Sequence, residues 1–390
     1  FEELGLTSKA LLDNLNANGF FTPTPVQKSS FPRILEGSDI ILSAYTGSGK
    51  TLAFVLPIVQ KLLAQLDSLD RKGPSFLIVA PSRELAIQIL RVVQSVIVGT
   101  ELFATQAIGG ANIQRQIEAI RNSRPHILVG TPGRIVELAS KMGAKIRLQG
   151  VKYLIVDEVD QCLKKAMQSD LNLILQACSS PARQTIFASA TGNVNNVKSL
   201  AQSSFRKEPL LLDLAGLRLP PQLRHCVIVT PRVKKIALVK KIFNLNGMTG
   251  LLVFVNDQRR VDIICDKLFE NGLIAAPLKG DESKEDRKEV MRRLREGTLG
   301  EVPLVVATEI AARGIDIPGL SHVVSLDLPT DANHYVHRAG RTARGGAEGT
   351  SIVLCEPQEK FVVEKFCKEL GLDFQYGQVY EQELIADEME

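Results

Sequence analysis

The 390-residue sequence contains no tryptophan, and aromatic residues make up only 5% of it. Its six cysteines include no CxxC pair, so zinc-site spacing is absent, and a disulfide framework is not expected in a chain of this length. No apolar run approaches the roughly 18 residues that a membrane span needs. These absences exclude metal-finger, disulfide-rich and transmembrane classes of protein, and they favour a reducing intracellular compartment.

The sequence also lacks a strong excess of charge of either sign. Its 47 basic and 43 acidic residues give a net charge of +4, which is too mild to indicate nucleic-acid binding by itself. The length suits two or three domains. Because the chain begins at Phe1, its start says nothing about a targeting peptide. Cytoplasm, nucleus, chloroplast and mitochondrion therefore all stay open.

Short β-branched apolar runs alternate with longer helical patterns along the whole chain, as is typical of parallel sheets buried on both faces. Both patterns break near Gly216 and the Pro220–Pro221 pair. We therefore predict an α/β fold with two parallel-sheet domains at 1–213 and 224–380, a linker at 214–223, and a frayed acidic tail at 381–390. The predicted strands are Asp39–Ser43, Phe76–Ala80, Ile127–Val129, Tyr153–Val156, Thr185–Ala188, His225–Val229, Leu251–Val255, Leu304–Ala307, His322–Leu326 and Ser351–Leu354.

The first predicted strand runs into AYTGSGKT, residues 44–51, which a helical pattern follows. Glycines between a strand and a helix let backbone N–H groups curl round a phosphate. Lys50 would then reach the β- and γ-phosphates, and the Thr51 hydroxyl would bind Mg²⁺. Ala44 stands where the general pattern has its first glycine. The predicted nucleotide-binding residues of this loop are Ala44, Tyr45, Thr46, Gly47, Ser48, Gly49, Lys50 and Thr51.

Three carboxylates in four residues follow the strand Tyr153–Val156, in the stretch VDEVD. Taken alone, this stretch could be a solvated acidic turn or a protease-sensitive tetrapeptide. With a phosphate-binding loop upstream, it matches the second element of a nucleotide hydrolase, in which one carboxylate holds Mg²⁺ and the next orients or deprotonates water. We assign Asp157 to the metal and Glu158 to the water.

Further segments follow in a fixed order. The first half adds GFFTPTPVQ (19–27), PSRELA (81–86), the pair Gly109–Gly110, TPGR (131–134) and SAT (189–191), and the second half adds LVFVN (252–256), ATEIAARGID (307–316) and YVHRAGRTAR (335–344). Together with AYTGSGKT and DEVD, this order resembles the DEAD-box family of ATP-dependent RNA helicases along nearly the whole chain. The resemblance implies two tandem RecA-like domains with an interdomain cleft, and ATP and Mg²⁺ as cofactors. It also implies a monomer that binds single-stranded RNA or a short RNA duplex without sequence preference.

The same resemblance assigns roles to individual residues. It implies that Phe1 stacks on adenine, that Gln27 reads the adenine edge and that Asp316 meets the ribose. Arg341 and Arg344 would be arginine fingers, and His337 would join the catalytic network. Implied RNA contacts are Pro81, Arg83, Gly109, Gly110, Thr131, Pro132, Gly133, Arg134, Gly280, Arg287 and Thr308. Implied couplers of the two domains are Asp160, Ser189, Thr191, Arg313 and Arg338.

The chain departs from the family pattern at several positions. Val159 replaces the usual alanine of DEAD, Ser82 a threonine and Glu309 an aspartate, while Lys279 and Lys284 stand where a histidine and a glutamine are usual. Ser82 could also be no more than a helix cap. Two hypotheses follow: an RNA-dependent ATPase that unwinds short duplexes, and an ATP-gated RNA clamp with weak turnover. A DNA translocase is disfavoured, because the 19–27 and SAT segments resemble RNA enzymes.

Overall fold

Two sheets organise the chain, one in each half. The computed structural model describes all residues except 46, 70–71, 141–145, 190–193, 215–218, 281–288, 291, 295, 297–299, 301, 313–316, 318, 344–346 and 387–390. The chain divides into a first unit, Phe1–Leu217, and a second unit, Arg218–Glu390. Among the described helices, none combines the length and apolar character needed to cross a bilayer.

The first unit contains a seven-stranded sheet in which every pair of neighbouring strands is parallel. Its strand order is β3-β4-β2-β5-β6-β1-β7. The central strands are continuous apolar runs, as expected for strands with helices on both faces. The strands are β1 Ile40–Ser43, β2 Phe76–Val79, β3 Ala104–Ala107, β4 Ile127–Gly130, β5 Tyr153–Val156, β6 Gln184–Ser189 and β7 Leu210–Asp213.

Three helices of the first unit begin at residues whose side chains accept from free backbone N–H groups. Thr24 and Gln27 form a reciprocal capping box, the Ser82 hydroxyl accepts from the Leu85 N–H at 3.2 Å, and the Asn112 side-chain oxygen accepts from the Arg115 N–H at 3.2 Å. The described helices of the first unit are α1 Lys9–Ala17, α2 Pro25–Leu35, α3 Lys50–Ala64, α4 Arg83–Val96, α5 Ile113–Ser123, α6 Pro132–Ser140, α7 Val159–Cys162, α8 Lys165–Ala177 and α9 Val194–Ser204.

Alternate strand residues in the first unit face two separate cores. Ile78 and Ile155 belong to the core that α2, α3 and α4 cover. Leu77 and Leu154 belong to the core that α6 and α8 cover. Because both faces are covered, the accessible features of the sheet are the ends of its strands, where parallel α/β sheets bind their ligands.

The second unit contains an eight-stranded sheet in the order β10-β11-β9-β12-β13-β8-β14-β15. All its pairs are parallel except β14–β15, which is antiparallel. The strands are β8 Leu223–Val229, β9 Leu251–Val255, β10 Ala276–Leu278, β11 Leu304–Thr308, β12 His322–Ser325, β13 Gly349–Cys355, β14 Gln375–Tyr380 and β15 Glu383–Ala386. The described helices are α10 Lys235–Phe243, α11 Arg259–Glu270, α12 Glu309–Ala312, α13 Ala332–Ala339 and α14 Lys360–Leu370.

Each of the ten predicted runs forms a strand, so the predicted parallel α/β architecture is confirmed. The prediction of a frayed tail at 381–390 was wrong for Glu383–Ala386, which pair with β14 as an antiparallel strand. The acidic composition concealed this strand, because Leu384 alone among its residues packs against the core of the unit. Residues 387–390 lie outside the described residues.

Candidate active site

The segment 44–51 leads from the end of β1 into α3, and two of its glycines have left-handed backbone conformations. Gly47 and Gly49 have φ values of 86° and 91°, which favour glycine. The Lys50 ammonium is buried and donates to the backbone carbonyls of Ala44 at 2.5 Å and Tyr45 at 2.9 Å. The Ser48 hydroxyl is buried and has no hydrogen-bond partner among the described residues. The loop therefore places a lysine and a helix N-terminus together, as phosphate binding requires.

Gln27 ties helix α2 to this loop. Its side-chain carbonyl accepts from the Thr24 N–H at 2.9 Å, and its amide donates to the Gly49 carbonyl at 3.1 Å. Gly49 has a φ of 91°, and a β-carbon there would lie 2.6 Å from that amide, so a larger residue would be strained and would displace the Gln27 side chain. One N–H and one lone pair of Gln27 remain for a ligand, which matches the donor and acceptor pair of an adenine edge. Phe1 is partly buried against the core cluster that contains Phe31.

The carboxylates of VDEVD point to three different environments. Asp157 is 4% exposed, and its Oδ1 accepts from the Glu158 N–H at 2.9 Å. Asp160 accepts from the Ser189 hydroxyl at 2.8 Å and from the Gln161 amide at 3.0 Å. Glu158 adopts a left-handed backbone conformation with φ 46°, which is uncommon for a residue other than glycine and recurs at functional sites. Asp157 and Asp160 therefore have different hydrogen-bond partners, which offset part of the repulsion among the three carboxylates.

The residues at this site fit Mg²⁺. Burial raises the pKa of Asp157 to about 6, while the Lys50 ammonium lowers it and the carboxylates of Glu158 and Asp160 raise it. A buried carboxylate of this kind gains from a divalent cation. The described residues include no group of three or more His, Cys, Asp or Glu arranged to hold a metal. Magnesium sites in nucleotide enzymes commonly use only one or two protein ligands together with phosphates and water, and Asp157 and the Thr51 hydroxyl are the residues that would hold the ion here.

Asp157→Asn should stabilise the protein in the absence of metal and nucleotide. The raised pKa makes the folded state bind more protons than the unfolded state between pH 3.8 and about 6, so stability falls as pH rises through that window. Above this window the buried, ionised carboxylate lowers the free energy of unfolding by about 1–3 kcal/mol, and a neutral asparagine removes that loss. Melting temperatures in EDTA should rise for Asp157→Asn at pH 7.5 and match wild type at pH 4. A lower melting temperature at pH 7.5 would contradict this assignment.

Val159 fits its position without visible strain. It is fully buried and belongs to the core cluster that also contains Leu154 and Leu171. The two methyl groups that distinguish it from alanine are therefore packed. Val159→Ala should lower the free energy of unfolding by about 1–3 kcal/mol and leave the turnover of the folded enzyme unchanged. Urea denaturation checks the first point, and an increase in stability would show instead that valine overpacks the site.

Three other strands end at the same edge of the sheet as β1, β5 and β6. The order β3-β4-β2-β5-β6-β1 places the ends of β3, β4 and β2 on one half of the edge, and the ends of β5, β6 and β1 on the other. The Arg83 guanidinium packs against Gly109, because a β-carbon at that position would lie only 3.3 Å from it. Arg134 donates to the Ala111 carbonyl at 3.1 Å and pairs with Glu137 at 3.0 Å. The sheet thus brings together Pro81, Arg83, Gly109, Gly110, Thr131, Pro132, Gly133 and Arg134.

In the second unit, Arg338 joins two strand ends to helix α13. Its side chain is 3% exposed. The guanidinium donates to the side-chain oxygen of Asn256 at 2.6 Å and to the backbone carbonyl of Asp327 at 2.8 Å. The guanidinium lies 5.4 Å from the centre of the Phe254 ring. Burial lowers the pKa of Arg338, and the nearby carboxylates of Glu309 and Asp327 raise it. Arg338 therefore fixes α13 on the sheet.

The remaining predicted residues of the second unit lie at strand ends or follow α13. Thr308 is buried at the end of β11, and its hydroxyl accepts from the Ala311 N–H at 3.3 Å. Arg341 is buried, and its Nε donates to the His337 carbonyl at 3.1 Å. Gly280 is exposed, and Lys279 pairs with Asp262 at 2.8 Å. Outside the described residues lie Thr46, Thr191, Lys284, Arg287, Arg313, Asp316 and Arg344.

Known proteins share this architecture and sequence. Residues 24–200 match the DEAD/DEAH box helicase family and residues 234–346 match the helicase conserved C-terminal domain. The chain is 36% identical to the DEAD-box ATP-dependent RNA helicase CshC of Bacillus cereus, over 94% of this chain and 90% of that one. It is 34% identical to the mitochondrial DEAD-box ATP-dependent RNA helicase 47 of Arabidopsis thaliana, over 100% of this chain and 79% of that one. The chain belongs to the DEAD-box RNA helicase family.

Solved structures agree with this membership. S. cerevisiae Dbp5 bound to RNA and ADP BeF3 superposes with a TM-score of 0.81 at 26% identity, covering 96% of this chain and 95% of that one. Mss116 bound to ssRNA and UDP-BeF superposes with a TM-score of 0.85 at 25% identity, covering 97% of this chain and 80% of that one.

Within this DEAD-box chain, the motifs did not reveal every residue of the network. Asn256, Asp327 and Glu309 were not predicted as site residues, yet each contacts Arg338. Each is also a polar residue at or within two positions of the end of a buried strand. That placement, applied to every strand of the second unit, would have identified all three.

Proposed function

We propose that the chain is an RNA-stimulated ATPase that binds the backbone of single-stranded RNA and locally unwinds short duplexes or remodels RNA–protein complexes, acting as a monomer. One observation carries the proposal. The strand order of the first unit puts the phosphate loop and the DEVD carboxylates on one half of the sheet edge, and the residues assigned to RNA on the other half. The relatives named as ATP-dependent RNA helicases support the same activity.

On the nucleotide half, each residue has a distinct task. Gln27 orients the base through its free donor and acceptor, and Lys50 with the loop N–H groups binds the phosphates. Mg²⁺ held by Asp157 and Thr51 would supply charge neutralisation at the phosphate oxygens. Glu158 follows Asp157 directly and is only partly buried, so water can approach it, and we assign it to accept the proton of the attacking water.

The second unit supplies the positive charge that the transition state needs. Arg341 and Arg344 are proposed as arginine fingers, a contribution worth about 10³–10⁵ in rate in comparable enzymes. RNA that contacts both units would favour the state in which these arginines reach the γ-phosphate. ATP and RNA should therefore strengthen each other's binding.

The RNA half of the edge is suited to the backbone of the nucleic acid. It presents three glycines, whose backbone N–H groups can donate to phosphates, and two arginines, which supply cations. Sequence preference should therefore be low, and the 2′-hydroxyl groups should distinguish RNA from DNA.

Steady-state ATP turnover with and without RNA tests this proposal. Single-stranded RNA of mixed sequence should stimulate turnover, whereas single-stranded DNA of the same sequence should not. Equal stimulation by DNA would indicate a DNA translocase, and absence of any RNA stimulation would exclude the proposed activity.

The ion pair between Lys279 and Asp262 favours a second candidate, an ATP-gated RNA clamp with little unwinding. Lys279 replaces the histidine usual in this segment, and its ammonium is committed to a side chain of α11. Release of a labelled strand from a short RNA duplex separates the candidates. Strand release that requires ATP supports a helicase, and ATP-dependent binding without strand release supports a clamp.

A further inference from the structure

Glu309 is a buried carboxylate at the junction of β11 and α12. It directly follows Thr308, the last residue of β11, and it is 7% exposed. Burying a carboxylate is costly unless charged or hydrogen-bonding groups surround it. The partners of Glu309 therefore indicate what its position is built to hold.

Three of these partners lie on helix α13. The ring Nδ1 of His334 donates to Glu309 Oε2, and the Nδ1 of His337 donates to Oε1 at 3.2 Å. The Nε of Arg338 lies 3.7 Å from Oε2, as an ion pair. One carboxylate thus holds three side chains within five residues of a single helix. The other ring nitrogen of His334, Nε2, lies 3.7 Å from the carboxylate of Asp331, which caps the same helix.

The two ends of this network carry the groups proposed for RNA and for ATP. On one side, Thr308 is the residue adjacent to Glu309 and is assigned to the RNA backbone. On the other side, Arg341 donates from its Nε to the carbonyl of His337, so the proposed arginine finger depends on where His337 sits. A displacement at the end of β11 would reach Arg341 through only two noncovalent contacts.

We propose that Glu309 is a positioning residue that transmits RNA occupancy at the end of β11 to the arginine finger on α13. This inference rests on the proposed function. Charge-assisted hydrogen bonds are short and directional, so they transmit a shift of the strand end to the helix. Misplacement of a catalytic group by about 1 Å can cost about 100-fold in rate.

The carboxylate of Glu309 lies closest to His334, followed by His337 at 3.2 Å and Arg338 at 3.7 Å. The carboxylate of the usual aspartate is one carbon shorter and is not expected to keep all three contacts. The variants below test whether the contact to His334 is the one that aspartate loses. The energetic coupling between positions 309 and 334 should therefore depend on the length of the side chain.

The test compares Glu309→Gln, Glu309→Asp, His334→Asn and the double variant Glu309→Asp/His334→Asn in the full chain. For each, ATP turnover is measured across ATP concentrations with saturating RNA and without RNA. Glu309→Gln should lower kcat with RNA by about 10- to 100-fold and change the KM for ATP by less than about twofold, because Glu309 is not among the residues assigned to ATP binding. Glu309→Asp should restore kcat to within about threefold of wild type. His334→Asn should have no further effect in the Glu309→Asp background.

Each outcome bears on the inference. Wild-type kcat in Glu309→Gln, or equal losses in Glu309→Gln and Glu309→Asp, would overturn it. If Glu309→Gln does not fold, the double-mutant cycle of Glu309→Asp and His334→Asn is the test. Losses in kcat that simply add in the double variant would overturn the inference. Wild-type protein that RNA does not stimulate would refute the proposed function itself, which distinguishes that failure from a failure confined to Glu309.

Discussion

Replacing Glu158 with glutamine is expected to reduce RNA-stimulated ATP turnover by about 10²–10⁴-fold, the usual contribution of a general base. Glutamine matches glutamate in size, and the Asp157 carboxylate that accepts the N–H of residue 158 is unchanged. Binding of ATP and RNA should therefore survive while proton abstraction from water is lost. The variant should accumulate a long-lived complex with ATP and RNA.

Dissociation of fluorescent RNA in the presence of ATP measures that complex. RNA should leave Glu158→Gln far more slowly than wild type with ATP, and equally fast with ADP. Glu118→Gln is a matched control, because Glu118 is an exposed residue of α5 in the same unit. Unchanged turnover in Glu158→Gln would refute the assignment of the base.

Arg341→Ala should lower RNA-stimulated kcat by about 10³-fold or more, which is the lower end of the range that an arginine finger contributes. Arg341→Lys should recover little of this loss, because an ammonium lacks the planar fork that meets phosphate oxygens. Arg259→Ala serves as the control. Arg259 lies in the same unit, its side chain is 86% exposed, and its ion pair is with Asp257, two residues away in sequence.

Circular dichroism and thermal melting should accompany the kinetics, because Arg341 is buried. Loss of turnover in a folded Arg341→Ala protein that still binds ATP supports the role of the arginine. A folded variant with turnover within about threefold of wild type would contradict it.

The sequence predicted the centre of each sheet and failed at its edges. Strands such as LLVFV at 251–255 are apolar throughout because helices cover both faces, and that pattern is visible without a structure. The edge strand ATQA at 104–107 has two adjacent polar residues and is only partly buried, and LLLD at 210–213 remains largely exposed. Strands of this kind are stabilised by pairing with a neighbour, which short-range patterns do not reveal.

The same contrast holds for the site. The phosphate loop and VDEVD each place several chemically specific residues within eight positions, so the two motifs taken together predicted a nucleotide site from the sequence. The network around Glu309 joins residues that are 25 to 29 positions apart, and Arg338 meets Asn256 across 82 positions. Such contacts depend on which strands become neighbours in the sheet. Roles of residues outside the described part of the chain, such as Asp316 and Arg344, stay predictions.

The coupling between ATP and RNA is the central claim, and reciprocal binding tests it most directly. Using Glu158→Gln, the affinity for a fluorescent single-stranded RNA is measured with and without saturating ATP, and the affinity for ATP with and without saturating RNA. We predict that each ligand tightens the other by the same factor, between about 5- and 150-fold. Affinities that do not change when the other ligand is present would contradict the account.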